Sequence, residues 1–307
     1  MKNPFFENTS APLKLIFFLF IIVGSFFIML FLGTIISVPV FKLDFSNFES
    51  FFDFSNPENL AFIKFMQAVQ HMGIYLIPPI IAAYVFSKNP KNYLSADKSS
   101  SVSLFMITFL IVMFVIPLSG YFGLVNSQMS LPESFAGFEA KLRLMEETAG
   151  TATMAFLDVS TTGGLLANLF IIAVLPAIGE EFFFRGILQK LFKDWTKNIH
   201  ISIFITAILF SAVHMQFFTF LPRFLLGLLF GYLLFWSKNI WLPVFAHFVN
   251  NATAVLVYYF VEDAGKVEQT EEVLAQPMAL FPALIMFGIF LYLFYKSTYK
   301  KVAIPHL

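Results

Sequence analysis

The segment Gly179-Glu180-Glu181-Phe182-Phe183-Phe184-Arg185 sets two carboxylates and a guanidinium inside an otherwise apolar run. A charge near the centre of a bilayer costs on the order of 2.5 kcal/mol or more, so a cluster of them is not an anchor and calls for partners or a function. Glu181 and Arg185 stand i,i+4 and share one helix face, where they can pair and offset each other's desolvation. Glu180 lies about 100° round the helix from Glu181 and is left without that partner. Pro176 removes a backbone hydrogen bond one turn earlier and, with Gly179, can kink or widen the helix beside Glu180 and let water reach it.

Two further pairs repeat the same spacing. Phe210 and His214 would lay an aromatic ring alongside an imidazole on the next helix, and His247 and Asn251 share one face of a later one. Counting inward from the nearest basic residue, Glu180 lies about 15 Å from Lys190 and His214 about 25 Å from Lys197. His247 and Asn251 come out about 14 and 20 Å from Lys238 on the same rise. With some tilt the four groups can meet at one level near the middle of a membrane. Taken singly, each has a plain packing explanation: a hydrogen-bonded histidine, an asparagine bonding a neighbouring helix, an interhelical salt-bridge knot. Two carboxylates, two imidazoles and an amide at one depth exceed what packing requires. His71 has no acidic partner on its own helix, and His200 and His306 sit at the basic edge, so these three carry no assignment.

The chain has no cysteine, no Gly-x-Ser-x-Gly and no His-Glu-x-x-His, so the usual nucleophile and zinc signatures are missing. A glutamate and a histidine can instead share a water and remove its proton as it attacks a carbonyl. An imidazole and an amide on one helix face can donate to the oxyanion that forms, a role worth about 2.7–4 kcal/mol per donor. The inventory fits hydrolysis without a covalent intermediate and calls for no cofactor. Zinc held by Glu180, His214 and His247 is the metal-dependent alternative. A non-enzymatic scaffold, a self-immunity factor or a transporter could use the same groups as a binding site or knot. Against a transporter stand the lack of a hydropathy repeat and the confinement of the polar groups to the second half.

The elements that must position these groups are membrane helices. Hydrophobic residues make up 58% of the chain and charged ones 12%, and the mean hydropathy is +0.79, more apolar surface than a soluble core can hide. Runs at 12–40, 61–86, 102–126, 162–188, 200–221, 241–261 and 277–295 approach or exceed the roughly 20 residues needed to cross the hydrocarbon. An eighth run, 223–236, spans only about 21 Å and would cross short or re-enter. The first run is too long for a signal-peptide core and is expected to be a retained anchor.

Loop charges alternate. Lys2 and Lys14, then Lys88, Lys91 and Lys98, then Lys190, Lys193 and Lys197, then Lys238, and finally Lys296, Lys300 and Lys301 define basic segments. The intervening ones are acidic: Asp44, Glu49, Asp53 and Glu58; Glu133, Glu139, Glu146, Glu147 and Asp158; Glu262, Asp263, Glu268, Glu271 and Glu272. With the basic set facing the cytoplasm, about eight crossings with both termini inside satisfy every loop. The expected fold is therefore an all-α polytopic bundle forming a single membrane domain, 1–307. It divides into N-terminal transmembrane helices and outer loops over 1–160 and a core over 165–260. Lys64 and Arg223, each near a helix end, can reach the interface. A partly amphipathic stretch, Phe135–Met154, can lie along the outer surface. Gly227 and Gly231 have the small-xxx-small spacing of close helix packing. Zero net charge with no basic block argues against a nucleic-acid partner.

The three motifs, in this order and spacing, resemble those of the CAAX prenyl endopeptidase and bacteriocin-processing (CPBP/Abi) family. Glu180-Glu181-x-x-x-Arg185 is similar to its first motif, Phe210-x-x-x-His214 to its second and His247-x-x-x-Asn251, following Trp241-Leu242-Pro243, to its third. The resemblance implies a glutamate-dependent intramembrane endopeptidase. In it Glu180 and His214 would activate the water and His247 and Asn251 would form the oxyanion site. Glu181 and Arg185 would hold the first helix in place and Phe210 would pack on the catalytic imidazole. The implied substrate is a membrane-associated peptide or protein within the lipid bilayer, prenylated or bacteriocin-like, and the expected location is a bacterial cell (inner) membrane.

Overall fold

The computed structural model describes residues 6–43, 57–261 and 276–302, and every regular element among them is a helix. The eight apolar runs correspond to α1 (Ala11–Phe41), α2 (Pro57–His71, continued through a π-helical turn Met72–Leu76 and Ile77–Phe86), α3 (Val102–Ser127), α5 (Thr162–Thr196), α6 (Ile199–Ala212), α7 (Phe220–Ser237), α8 (Trp241–Phe260) and α9 (Pro277–Val302). The amphipathic stretch forms α4 (Ala136–Leu157). By length and composition, α1, α2, α3, α5, α7 and α9 can cross a membrane. The other two belong to the same bundle: α6 packs along α7, and α8 lies against α3 and α5. Helix α6 has only 14 residues, and α8 carries His247, Asn250 and Asn251 within its span.

The helices associate as lipid-facing helices do, by bringing small residues into contact where water drives nothing. In α1 the buried positions are Phe18, Ser25, Gly33 and Ser37, while Phe20, Phe27 and Phe31 point outward. A Cβ on Gly33 would lie 2.6 Å from Val69, and one on Gly73 would lie 3.0 Å from Met29, so α1 and α2 touch nearly backbone to backbone. One apolar core gathers α1, α2, α5, α6, α7 and α8 around Phe182, Phe183, Phe184 and Ile187. A second joins α3, α7, α8 and α9 around Ile111, Phe230, Leu233 and Phe294.

Several expectations are corrected. The run 200–221 is not one helix: α6 stops at Ala212, and residues 213–219 form an irregular connector in which Met215 is left-handed, with φ 55°. Helix α7 begins at Phe220 rather than 223; its 18 residues reach about 27 Å, so it does not fall short. Pro222 permits the earlier start, because the N–H it lacks falls in the first turn, where helices have no internal partner. Lys190 and Lys193 lie in the last turns of α5, not in a loop. Lys190 donates to the Tyr93 carbonyl and to Ser95 Oγ (3.0 Å), which fastens α5 to the turn after α2. Lys64 donates to the Phe156 carbonyl (2.7 Å) and to Asn168 Oδ1 (3.0 Å), joining the end of α4 to the start of α5. Lys2, Asp44, Glu49, Asp53, the acidic group 262–272 and His306 lie outside the described residues.

Candidate active site

Helix α5 carries both glutamates and departs from α geometry twice, with π-helical turns at Leu169–Val174 and Glu181–Leu188. Such turns are rare and frequent at functional sites. The second starts at Glu181, so the two carboxylates straddle a change of pitch. Arg185, fully buried, donates from Nη1 to Glu181 Oε1 at 2.9 Å and from Nη2 to the Gly227 carbonyl at 3.0 Å. One turn on, Gln189 Nε2 donates to the Gly231 carbonyl at 3.2 Å. The two glycines thus do more than pack. A Cβ on Gly227 would lie 3.1 Å from Ala207, and one on Gly231 would lie 2.8 Å from Ile203. Their bare backbone brings α7 close to α6 and leaves carbonyls within reach of α5. Phe210 lies beneath the Arg185 guanidinium, 4.5 Å from its ring centroid.

Glu181 Oε1 also accepts from His247 Nδ1 at 3.0 Å. A carboxylate can only accept, so the Nδ1 proton is set by this contact. The other nitrogen, Nε2, lies 4.0 Å from Glu180 Oε2. The His247 ring stacks on Phe230 at 5.2 Å and meets the Phe210 ring edge-on at 5.8 Å, which holds its plane. His247, expected to face the substrate carbonyl with Asn251, is therefore also a bridge between the two glutamates.

Glu180 faces a cavity of about 380 Å³, and its Oε2 is buried without a hydrogen-bond partner. His214, His247 and Asn251 line the same cavity, so all four candidates for chemistry share one space. His214 stands two residues beyond the end of α6, on the connector. Its Nδ1 lies 2.8 Å from the Phe210 carbonyl, and since a carbonyl only accepts, Nδ1 carries the proton and neutral His214 presents a bare Nε2. The Phe210 ring meets the His214 ring at 5.5 Å. Asn251 Nδ2 donates to the Ile172 carbonyl at 2.9 Å, in the first π-helical turn of α5.

The cavity has walls that sequence reasoning passed over. Gln67, His71 and Tyr75 come from α2 at i, i+4 and i+8. His71 Nε2 is buried without a partner, and a Cβ on Gly179 would lie 3.0 Å from it, so the glycine before Glu180 makes room for this ring. Gln67, His71 and Tyr75 have the same i,i+4 spacing as the three motifs, but with no acidic partner on its own helix His71 carries no assignment from sequence. Arg223 also lines the cavity; it donates to Thr219 Oγ1 at 2.7 Å and to Gln216 Oε1. The connector bearing His214 is pinned from the N-terminal half. Glu146 on α4 accepts from the Phe218 N–H (2.8 Å) and from Thr219 Oγ1 (2.7 Å). Asn126 on α3 accepts from the Leu221 N–H (2.7 Å) and donates to the Phe217 carbonyl (3.2 Å).

Zinc would need three ligands converging on one point. Among the described residues no group of three or more His, Cys, Asp or Glu is arranged to hold a metal ion.

Neither the curated proteins nor the solved structures contain a match to this chain. The family comparison does find one. The matching family is described as Type II CAAX prenyl endopeptidase Rce1-like, a description that suggests a CAAX-type intramembrane protease. The match covers residues 162–253, from the start of α5 to just beyond Asn251, and in that segment the chain carries the signature of the CAAX prenyl endopeptidase family.

Proposed function

We propose that this protein is a metal-independent intramembrane endopeptidase that hydrolyses a peptide bond of a membrane-associated peptide or protein, prenylated or bacteriocin-like. The observation that carries the reading is the unpartnered carboxylate oxygen of Glu180 in a cavity it shares with His214 and His247. A buried carboxylate with no protein donor costs stability and is retained where it has a task.

In the proposed mechanism a water sits between Glu180 and the bare Nε2 of His214, donating one hydrogen to each. Its oxygen bonds to the scissile carbonyl carbon as Glu180 takes one proton. The carbonyl oxygen becomes an oxyanion, toward which the second N–H of Asn251 donates; His247 adds a second donor at Nε2 only as the imidazolium, with its Nδ1–H held by Glu181. Collapse of this intermediate breaks the C–N bond, and the proton held by Glu180 passes to the departing amine. Glu181 and Arg185 take no part in proton transfer; they fix α5, and through His247 they fix the imidazole. The bundle is proposed to lie in a bacterial cell (inner) membrane with eight crossings and both termini cytoplasmic, as the loop charges favour.

The test is cleavage of a panel of fluorogenic prenylated and unprenylated lipopeptides by purified protein, with Glu180→Gln and His214→Ala as controls. Cleavage by the wild type that both variants lose is the expected result. Cleavage that survives Glu180→Gln would leave the cluster as a structural knot in a scaffold or immunity protein. Cleavage lost to chelators and restored by zinc would favour a metal enzyme.

A further inference from the structure

Where the helix returns to α pitch at Leu175, the carbonyls of Ile171, Ile172 and Ala173 have only the N–H groups of residues 176 and 177 to pair with, and residue 176 is proline, which has none. The backbone here is already widened: Leu169–Val174 is π-helical, and the N–H of Leu175 reaches back to Phe170 rather than to Ile171. A carbonyl released inside a membrane bundle needs a replacement donor. The donor present is the side chain of Asn251, whose Nδ2 lies 2.9 Å from the Ile172 oxygen, 79 residues away along the chain. Asn250 Nδ2 in turn lies 3.1 Å from Asn251 Oδ1, which orients the amide so that nitrogen, not oxygen, faces the carbonyl.

We infer that Asn251 is a positioning residue: its amide stands in for the backbone donor that Pro176 removes, and so holds α5 in the widened form that sets Glu180 against the cavity. Helix α8 thereby grips α5 on both sides of Glu180, through Asn251 at Ile172 and through His247 at Glu181. One N–H of the amide is committed to this strut, which leaves the other free for the cavity. The consequence for catalysis rests on the protease reading above; the strut itself does not.

A double-mutant cycle on the full-length protein in detergent tests it, using Asn251→Ala, Pro176→Ala and the two combined. The readouts are the thermal melting midpoint and cleavage of a fluorogenic prenylated peptide. In the Pro176 background Asn251→Ala is expected to lower the midpoint and to reduce kcat about tenfold, with KM little changed. In the Pro176→Ala background, where the backbone again supplies an N–H, both losses should shrink, that in kcat to about twofold or less. Equal losses in both backgrounds would mean that Asn251 acts on substrate alone and would overturn the inference, as would no loss in either. If Asn251→Ala yields no folded protein, recovery of folded protein in the double variant is the same positive result, and failure in both is the same negative one. Because melting needs no substrate, a Glu180→Gln variant that cleaves normally would sink the protease reading while the melting cycle still decides the strut.

Discussion

Glu180 and Glu181 are adjacent, buried in the same helix and chemically identical, yet they have opposite surroundings. Glu181 Oε1 takes Arg185 at 2.9 Å and His247 at 3.0 Å, while its Oε2, like Glu180 Oε2, is buried without a hydrogen-bond partner. Glu180 has an oxygen with no partner and a cavity in front of it. Burying a charge is tolerable when partners compensate it, and Glu181 has a guanidinium and an imidazole on its Oε1. Glu180 Oε2 has neither within hydrogen-bond distance, and its uncompensated state is available to a water or a substrate. The difference comes from the angle between successive residues on α5 and from which helix faces each one.

The contrast is most directly broken by removing the two carboxylates' distinct tasks. Glu180→Gln should abolish cleavage, by at least about a thousandfold, with a melting midpoint equal to or above that of the wild type, because the change removes a poorly compensated charge. A lower midpoint would place Glu180 with Glu181 in the structural class. Arg185→Ala strikes the other member. It leaves Glu181 buried and unpaired and frees the Gly227 carbonyl, at an expected cost of about 3–5 kcal/mol in unfolding free energy. Circular dichroism against denaturant would measure it, and a near-neutral result would show that the knot is not the frame of α5. Arg185→Lys should recover only part of this stability, since one ammonium cannot reproduce the paired donors to Glu181 and Gly227.

A smaller effect is expected at Glu146, which holds the connector bearing His214 from outside the family-matched segment. Glu146→Ala loses two hydrogen bonds to a carboxylate, about 1.5–3 kcal/mol each at most, and should lower kcat by loosening His214 while sparing KM. Unchanged kinetics would show that α6 and α7 alone fix the connector. At the bottom of the scale, the exposed pair of Lys88 and Glu7, 3.3 Å apart, should contribute under about 1 kcal/mol, so Lys88→Ala should move the midpoint little and less still in high salt. It is the control for charge removal as such.

Much of the site was legible because helices convert spacing into faces. Apolar runs predict helices, and i,i+4 spacing predicts that Glu181 meets Arg185 and that Phe210 lies beside His214. Both contacts are present, the second although α6 has ended before His214, because the turn keeps the Phe210 carbonyl within reach of the imidazole. Loop charges marked the ends of the bundle, but they could not show that Lys64, Arg223 and Glu146 turn inward to tie elements together. Lys64 and Arg223 are read by their place near a helix end and Glu146 as an acidic loop residue, and a long polar side chain at such places can turn either way.

By itself the sequence determined the helical architecture, the order of three motifs and the pairing available within each helix, because all of these depend on local geometry. Which glutamate is closed and which is open was decided by contacts between helices: His247 reaches Glu181 across 66 residues, and Asn251 reaches Ile172 across 79. Those registrations follow from two π-helical turns, a proline and a pair of glycines that set how far α5 rotates and how closely α7 approaches it. Spacing along one chain fixes a face; only packing fixes what the face meets.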